Sequence, residues 1–381
     1  MLLSRLDQTG MTTHTIELAE ALVRKGHNVT ILTGWNKIPD TVALSLMDRL
    51  NNTGAKIKTF FAPDKSSKLK LALSAISLLI NVLMCKGGVI HVQSPYLSWA
   101  PWLLGRKFIS TLHIADLVRC VYYKNATHLI AISNETKEYA KNVFCYKESE
   151  ISIINHGVSA DFATLLTPTQ IAEHRQHLEL PVNKLLLTIV GSIEPRKGHD
   201  ILLKAVTLLP RECRNRIHIV FLGSDKSSNK ANTKWLNKII EETQTRDIVS
   251  HFEYQSSKLF YKISDVFILP SWVEGFPLVT IEAMLSGNLC IRTDAEGAYE
   301  QIMNGVTGYI FPKGDVGRLA QILKEIILND ELRASIAVHG RDYALSHFTS
   351  DIMAEHTLSV YKSTITNGKK KHINHLRRKT S

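Results

Sequence analysis

Residues 270–284 read Pro-Ser-Trp-Val-Glu-Gly-Phe-Pro-Leu-Val-Thr-Ile-Glu-Ala-Met, and they hold the densest set of groups able to do chemistry. The apolar run just before them, 266–269, predicts a buried strand. A loop with Glu274 and Gly275 follows, and Pro277 opens a helix running to about Gly287. Amides in a first helical turn have no helical acceptor, so those of Leu278 and Val279 are available to an anion such as a diphosphate. Glu274 then stands in the loop and Glu282 about one turn into the helix. Two carboxylates so placed can reach different parts of one extended ligand; on spacing alone, two solvated surface acids stay open as the alternative.

Three further stretches have the same strand–turn–helix context. Val190-Gly191-Ser192-Ile193-Glu194-Pro195-Arg196-Lys197-Gly198 follows a predicted strand, and Arg196 and Lys197 at its carboxyl end suit neutralisation of phosphate charge. Asp7 to His14 joins the first strand to the first helix, a phosphate-binding position in a doubly wound sheet. Its single glycine, Gly10, makes neither a G-x-G-x-x-G nor a Walker loop. His113 ends the strand 108–112, where a packing role and a catalytic role both stay open. There is no D-x-D pair, and His174-x-x-His177 and His372-x-x-His375 lack a third ligand, so no metal site is expected. No G-x-S-x-G or kinase motif is present.

The elements that must hold these residues follow from the hydrophobic pattern. Short apolar runs at 2–4, 29–33, 56–61, 89–93, 108–112, 128–133 and 151–155 alternate with helical stretches, and the pattern resumes at 185–190, 217–222, 266–269, 289–293 and 308–311. Such runs, without strict alternation, are strands buried on both faces, and β–α alternation predicts parallel sheets. Helices have legible ends: 12–25 stops at Gly26, 199–209 stops at Pro210, and Asp315 caps the next. The rhythm breaks once, over 157–183, which reads as an interdomain connection. The fold class is therefore α/β with two doubly wound halves of similar size, whose ligands would lie beyond the carboxyl ends of the strands.

Length and charge bound the rest. The chain has 381 residues, 44% of them hydrophobic, enough for two domains each with a core. Of the net charge of +11, six units lie in residues 367–381, among Lys369, Lys370, Lys371, Arg377, Arg378 and Lys379. The remaining +5 is too little for a domain-wide nucleic-acid footprint, so no specific nucleic-acid partner is expected. Five scattered cysteines without a C-x-x-C pair favour a reducing cytoplasm, and the start has no signal-peptide core. Residues 69–85 are apolar with Lys70, Ser74, Ser77 and Asn81 in one stripe. That pattern favours a mostly buried helix, with an amphipathic face on a membrane surface as the second reading.

Taken together, these residues resemble glycosyltransferase family 4, the "glycosyl transferases group 1": retaining, nucleotide-sugar-dependent enzymes of the GT-B fold. Glu274 and Glu282 fit the family's E-x7-E motif inside E-G-F-P-L-V-x-x-E-A-M, and 191–198 resembles G-R-L-x-x-x-K-G. Glu296-Gly297-Ala298-Tyr299-Glu300 and Gly305-Val306-Thr307-Gly308-Tyr309 resemble the family's later segments. The first half matches more loosely, through Gly10, Glu17-Leu18-Ala19, Gly26-His27-Asn28-Val29, Val89-Ile90-His91, Thr111-Leu112-His113 and Asn155-His156-Gly157-Val158. Two departures stand out: Ser192 replaces the family's arginine, and Leu289 the proline of G-x-P-V-I.

The resemblance implies two Rossmann-like domains facing an interdomain cleft, 1–165 for the acceptor and 166–350 for the donor. A crossover helix at 351–366 would return to the first domain, ahead of a basic, disordered tail at 367–381. It also implies roles. Glu282 would take the ribose hydroxyls, Lys197 with Arg196 the diphosphate, and Glu274 the donor sugar near the reacting centre. Gly191, Gly275, Phe276, Leu278 and Val279 would line the donor, Gly10 would let the first loop approach it, and His113 would line the reaction centre. No cofactor is implied beyond the nucleotide-sugar co-substrate. The expected activity is transfer to a glycan or lipid-linked acceptor in bacterial surface polysaccharide or lipopolysaccharide synthesis. A non-catalytic nucleotide-sugar-binding subunit and a GT-B epimerase are the alternatives. The tail adds an expected contact with anionic lipid, making the enzyme cytoplasmic and peripheral on the inner membrane face, against the alternative of a solvated end.

Overall fold

The computed structural model describes residues 1–7, 9–35, 41–61, 67–85 and 88–377, of which 35, 41–43 and 365–377 are described by backbone alone. The chain forms two compact units, one of Met1–Gly157 together with the segment from Ser350 onward, the other of Val158–Thr349.

The first unit is a seven-stranded parallel sheet. In chain order its strands are β1 (Leu2–Leu3), β2 (Thr30–Trp35), β3 (Lys56–Phe61), β4 (Ile90–Val92), β5 (Phe108–Leu112), β6 (His128–Ala131) and β7 (Ile151–Ile153), arranged β3-β2-β1-β4-β5-β6-β7. Between them run α1 (Gly10–Arg24), α2 (Thr41–Asn52), α3 (Lys68–Met84), α4 (Trp99–Leu103) and α5 (Asn134–Phe144). The start of α1 is fixed by Asp7, which accepts from Thr9 Oγ1 at 2.6 Å and Thr12 Oγ1 at 2.8 Å, while Thr9 caps the Thr12 amide. Its inward residues Ile16, Ala19 and Leu22 are buried with Leu3, Ile31 and Ile109.

α3 corrects an expectation. Only Ser74, Leu78 and Val82 of this helix are buried, although the spacing predicts a mostly buried element. Part of the polar stripe faces inward. Ser74 Oγ donates to the Phe61 carbonyl at 2.6 Å, and Ser77 Oγ accepts from the Phe61 amide at 3.4 Å. β3 is a sheet edge, so these hydroxyls serve strand groups that no neighbouring strand serves. Most of the long aliphatic side chains are left outside.

The second unit is a six-stranded parallel sheet of β8 (Leu185–Val190), β9 (Ile217–Leu222), β10 (Val249–Phe252), β11 (Val266–Leu269), β12 (Leu289–Thr293) and β13 (Tyr309–Phe311), in the order β10-β9-β8-β11-β12-β13. Its helices are α6 (Pro168–His177), α7 (His199–Thr207), α8 (Arg211–Asn215), α9 (Ala231–Glu242), α10 (Ser257–Ile263), α11 (Leu278–Leu285), α12 (Ala298–Gln301), α13 (Val316–Leu328) and α14 (Asp330–His347). Leu187, Ile189, Ile219, Phe221, Ile268 and Ile291 are fully buried under Leu202, Val206, Leu319 and Leu323. Each such side chain contributes about 1.5–3 kcal/mol by leaving water.

The expected break over 157–183 is mostly part of this second unit, which begins at Val158 rather than near residue 166. Arg175 on α6 explains why. It is buried and donates to the carbonyls of Ile263 and Lys184 and to Asp265, which ties α6 to the sheet.

The last helix, α15 (Ser350–Arg377), returns to the first unit. Met353, Ala354 and Val360 enter the core beside α1, and Arg24 and Lys25 pair with Asp351 and Glu355. Its backbone stays helical to Arg377, so the segment from 367 is helix where a disordered tail is expected. No proline interrupts it, and Lys and Arg are good helix formers. Arg378 and Lys379 lie outside the described residues. Among the described residues no helix is long and apolar enough to cross a membrane.

Candidate functional site

In the second sheet the strand order reverses between β8 and β11, which lie side by side. Ligands of open α/β sheets bind beyond the carboxyl ends of the strands at such a switch. The turn after β8 and the loop after β11 are the two segments singled out by their residues. Gly198 brings them together. It adopts a left-handed φ of +72°, and a Cβ there would stand 2.0 Å from the Pro270 carbonyl oxygen, so only glycine permits this approach. The Trp272 amide then donates to the Arg196 carbonyl at 2.9 Å, and Arg196 Nη1 donates to the Val273 carbonyl at 3.0 Å.

The outcome is a pair formed across 77 residues of sequence: Lys197 Nζ donates to Glu274 Oε1 at 2.6 Å. Their side chains are 13% and 10% exposed, so neither charge is well solvated and each depends on the other. Arg196 lies alongside, more open, its Nη2 2.7 Å from Glu194 Oε1. Glu194 also accepts from Ser192 Oγ at 2.7 Å. Burial alone would push the Glu194 carboxyl up, but the Ser192 hydroxyl, Arg196 and Lys197 together hold it below its ordinary value. Ser192, where the resembling family carries arginine, thus orients the acid that holds Arg196.

The remaining predicted donor residues are distributed along the same edge. Gly191 directly follows β8. Phe276 and Leu278 are buried, with the Phe276 ring 5.8 Å from that of Phe348, so only their backbone can serve a ligand. Pro277 caps α11, which leaves the amides of Leu278 and Val279 in the first turn. Glu282 is half-buried on α11 next to Tyr261, whose hydroxyl is pushed well up by burial and then by that carboxylate.

Two residues that spacing does not reveal position this helix end. Arg292, fully buried on β12, donates to Gln301 Oε1 and to the carbonyls of Ala295 and Glu296. Gln301 Nε2 in turn donates to the Pro277 carbonyl at 2.9 Å. Gly297 in the bracketed turn has φ +71°, and a Cβ there would meet the Gly275 carbonyl oxygen at 2.6 Å.

The first unit has its own switch point, between β1 and β4. Gly10 opens α1 there, and a Cβ on it would meet nothing within 4 Å among the described residues, so no contact with them requires glycine. His113 follows β5 and is joined by His14 of α1 and by His156, which lies beyond β7. Gln93 Oε1 only accepts, so His113 carries its proton on Nε2, 3.0 Å away, and its Nδ1 accepts from His156 Nε2 at 3.2 Å. The His14 ring lies 4.4 Å from His156 and 4.9 Å from His113, and neither of its nitrogens has a partner among the described residues. Burial first, then the neighbouring imidazoles, hold His14 and His113 well below the usual histidine range. Behind them His91 is lowered to about 3 by burial and bonds Tyr361 Oη and Thr111 Oγ1, each at 2.7 Å.

His14, His113 and His156 offer ring nitrogens within 4.8 Å of one another. Three imidazoles so placed can ligate a divalent ion or exchange hydrogen bonds with sugar hydroxyls. Where the spacing of the histidine pairs predicts no metal site, this set draws on three distant elements and has no sequence signature.

Both halves of the chain match known families. Residues 8–162 match Glycosyltransferase Family 4, and residues 170–343 match Glycosyl transferases group 1. The chain belongs to this glycosyltransferase family. CapM, a capsular polysaccharide biosynthesis glycosyltransferase of Staphylococcus aureus, is 28% identical over 240 residues, 62% of this chain and 62% of CapM. A D-inositol 3-phosphate glycosyltransferase of Mycolicibacterium smegmatis is 26% identical over 55% of this chain and 48% of its own. The chain therefore spans less than two thirds of either relative. Among solved structures, Anabaena HepE in complex with UDP is 17% identical, with a TM-score of 0.80 over 95% of this chain and 98% of that one. That likeness shows the fold: two parallel-sheet α/β units of the GT-B class.

Proposed function

We propose that the protein transfers a sugar, with retention of anomeric configuration, from a nucleoside-diphosphate sugar to a hydroxyl of a glycan or lipid-linked acceptor. The acceptor would belong to a bacterial surface polysaccharide or lipopolysaccharide. The observation that carries this reading is the Lys197–Glu274 pair, held at the switch point of the second sheet.

A diphosphate entering there gives Lys197 a stronger anionic partner than one carboxylate, with Arg196 beside it and the amides of Leu278 and Val279 at the helix end. Lys197 then moves its charge to the oxygens on which negative charge grows as the sugar leaves. Glu274, released from Lys197, turns to the donor sugar, and Glu282 accepts from the ribose hydroxyls. His113 and the histidines beside it on the first unit offer lone pairs and N–H groups to hydroxyls of the acceptor. The family match and the UDP of HepE support a nucleotide donor, and the name of CapM supports a surface-polysaccharide product. The place of work is the cytoplasmic face of the membrane, where a lipid-linked acceptor is presented.

The test is a transfer assay with UDP-, GDP- and ADP-sugars and acceptor glycans, read by NMR of the product's anomeric proton. An α-donor giving an α-linked product supports the proposal. Binding without turnover under every acceptor condition would favour a non-catalytic subunit. Donor conversion without acceptor would favour an epimerase.

A further inference from the structure

α3 is amphipathic in an unusual sense. At 100° per residue its buried positions Ser74, Leu78 and Val82 form one narrow stripe. Leu69, Leu73, Ile76, Ile80, Leu83 and Met84 form a second stripe on the opposite side, and all six are exposed, Leu69 to 70%. A soluble helix usually turns polar residues outward; here 17 residues, about 25 Å of helix, present aliphatic side chains instead. The apolar area continues at its borders. Phe61 at the end of β3 is exposed, and so are Trp102 and Leu103 on α4, which packs against α3.

Among the described residues of α3, β3 and α4 the charge has one sign. α3 holds no acid, and Lys68 and Lys70 are exposed on the two flanks of the outward stripe. Lys56 and Lys58 are exposed on β3, and Lys124 stands 4.5 Å from the Trp102 ring. From residue 53 to 115 the sequence carries eight lysines and arginines against one acid, Asp64.

We infer that the outward face of α3, with the α4 rim beside it, is a membrane-docking surface that seats on an anionic bilayer. An aliphatic stripe between lysine flanks is what an interfacial helix needs: the stripe enters the acyl boundary while the ammonium groups reach lipid phosphates. Charge selects this occupant over a second copy of the chain, because a symmetric pairing of this face would bring its lysines against one another. The assignment rests on the first unit alone and stands whether or not the transferase reading does. It also moves the expected lipid contact from the tail at 367–381 to a face of the fold.

The experiment is co-sedimentation of the full-length protein with vesicles of phosphatidylcholine alone and of equal parts phosphatidylcholine and phosphatidylglycerol. Wild type, the double variant Ile76→Ser/Ile80→Ser, the charge variant Lys68→Glu/Lys70→Glu and a chain lacking 367–381 are compared. Binding to the anionic vesicles is expected for wild type, with partitioning at least about tenfold weaker in the serine double variant. The charge variant should bind weakly to anionic vesicles, and the truncated chain should retain most of the binding. Both substituted pairs are exposed, so thermal melts should match wild type. The inference fails if the serine variant, melting normally, partitions like wild type, or if only the truncation abolishes binding. It also fails if lipid-free wild type sediments as a dimer that Ile76→Ser/Ile80→Ser dissociates.

Discussion

Lys197 and Glu274 neutralise one another at 2.6 Å in a place where neither is well solvated, and this gives the pair two separable roles. Removing either side chain alone leaves a poorly hydrated charge, which costs about 1–3 kcal/mol of stability. Replacing both, as Lys197→Met/Glu274→Leu, should recover most of that loss in a denaturant melt, because no lone charge is left behind. Turnover should not recover with it. Lys197→Ala and Glu274→Ala are each expected to lower kcat by about 100- to 1000-fold, the usual effect of losing a group aimed at developing charge. Near-wild-type turnover in both would remove them from the site. The two side chains are legible as candidates from the motif, but their pairing across 77 residues is not. It depends on the Gly198 turn passing 2.0 Å (Cβ position to oxygen) from Pro270, a contact that no local pattern encodes.

Elements carry a different share of the information. Gly198→Ala should cost at least about 3 kcal/mol, since the new Cβ would overlap a backbone oxygen in a left-handed conformation. The loss would appear in Tm and in donor affinity together. Gln301→Ala breaks the link from Arg292 to the Pro277 carbonyl, and should loosen the start of α11 with a Tm loss corresponding to about 1–3 kcal/mol. Most strands follow from apolar runs because their parallel sheets bury both faces, as at β9, where every residue from Ile217 to Leu222 is buried. β10 escapes that signal: it pairs only with β9, lies at the edge, and carries Ser250 and His251. α3 is legible as a helix but not in its orientation. Its serines turn inward to the end of β3, so a rule that sends polar groups to water inverts its faces. His14, His113 and His156 meet only because the first sheet gathers α1 and the ends of β5 and β7 along one edge.

At the scale of the whole molecule, buried neutral histidines set the response to acid. His91 titrates near 3 and His199 near 4, each lowered mainly by burial, against roughly 6.5 in an unfolded chain. Between those values the unfolded state binds more protons than the native one, so stability is complete above about pH 6.5 and falls as acid is added. Each group adds a slope of up to about 1.4 kcal/mol per pH unit. Calorimetric Tm should therefore drop steeply from pH 6.5 to 4, and His91→Gln should flatten the profile by about one proton. Under the two proposals above, the net charge of +11 divides in the same spirit: Arg196 and Lys197 would serve the site, while the basic, acid-poor stretch around α3 would serve a surface. If a nucleotide sugar binds the second unit through Lys197, thermal shift across UDP-, GDP- and ADP-sugars will register that binding. One donor class should raise Tm by an amount equivalent to about 2.7 kcal/mol at a hundred times its Kd, and Lys197→Ala should abolish that shift while remaining folded. No shift with any nucleotide sugar, or an undiminished shift in folded Lys197→Ala, would contradict it.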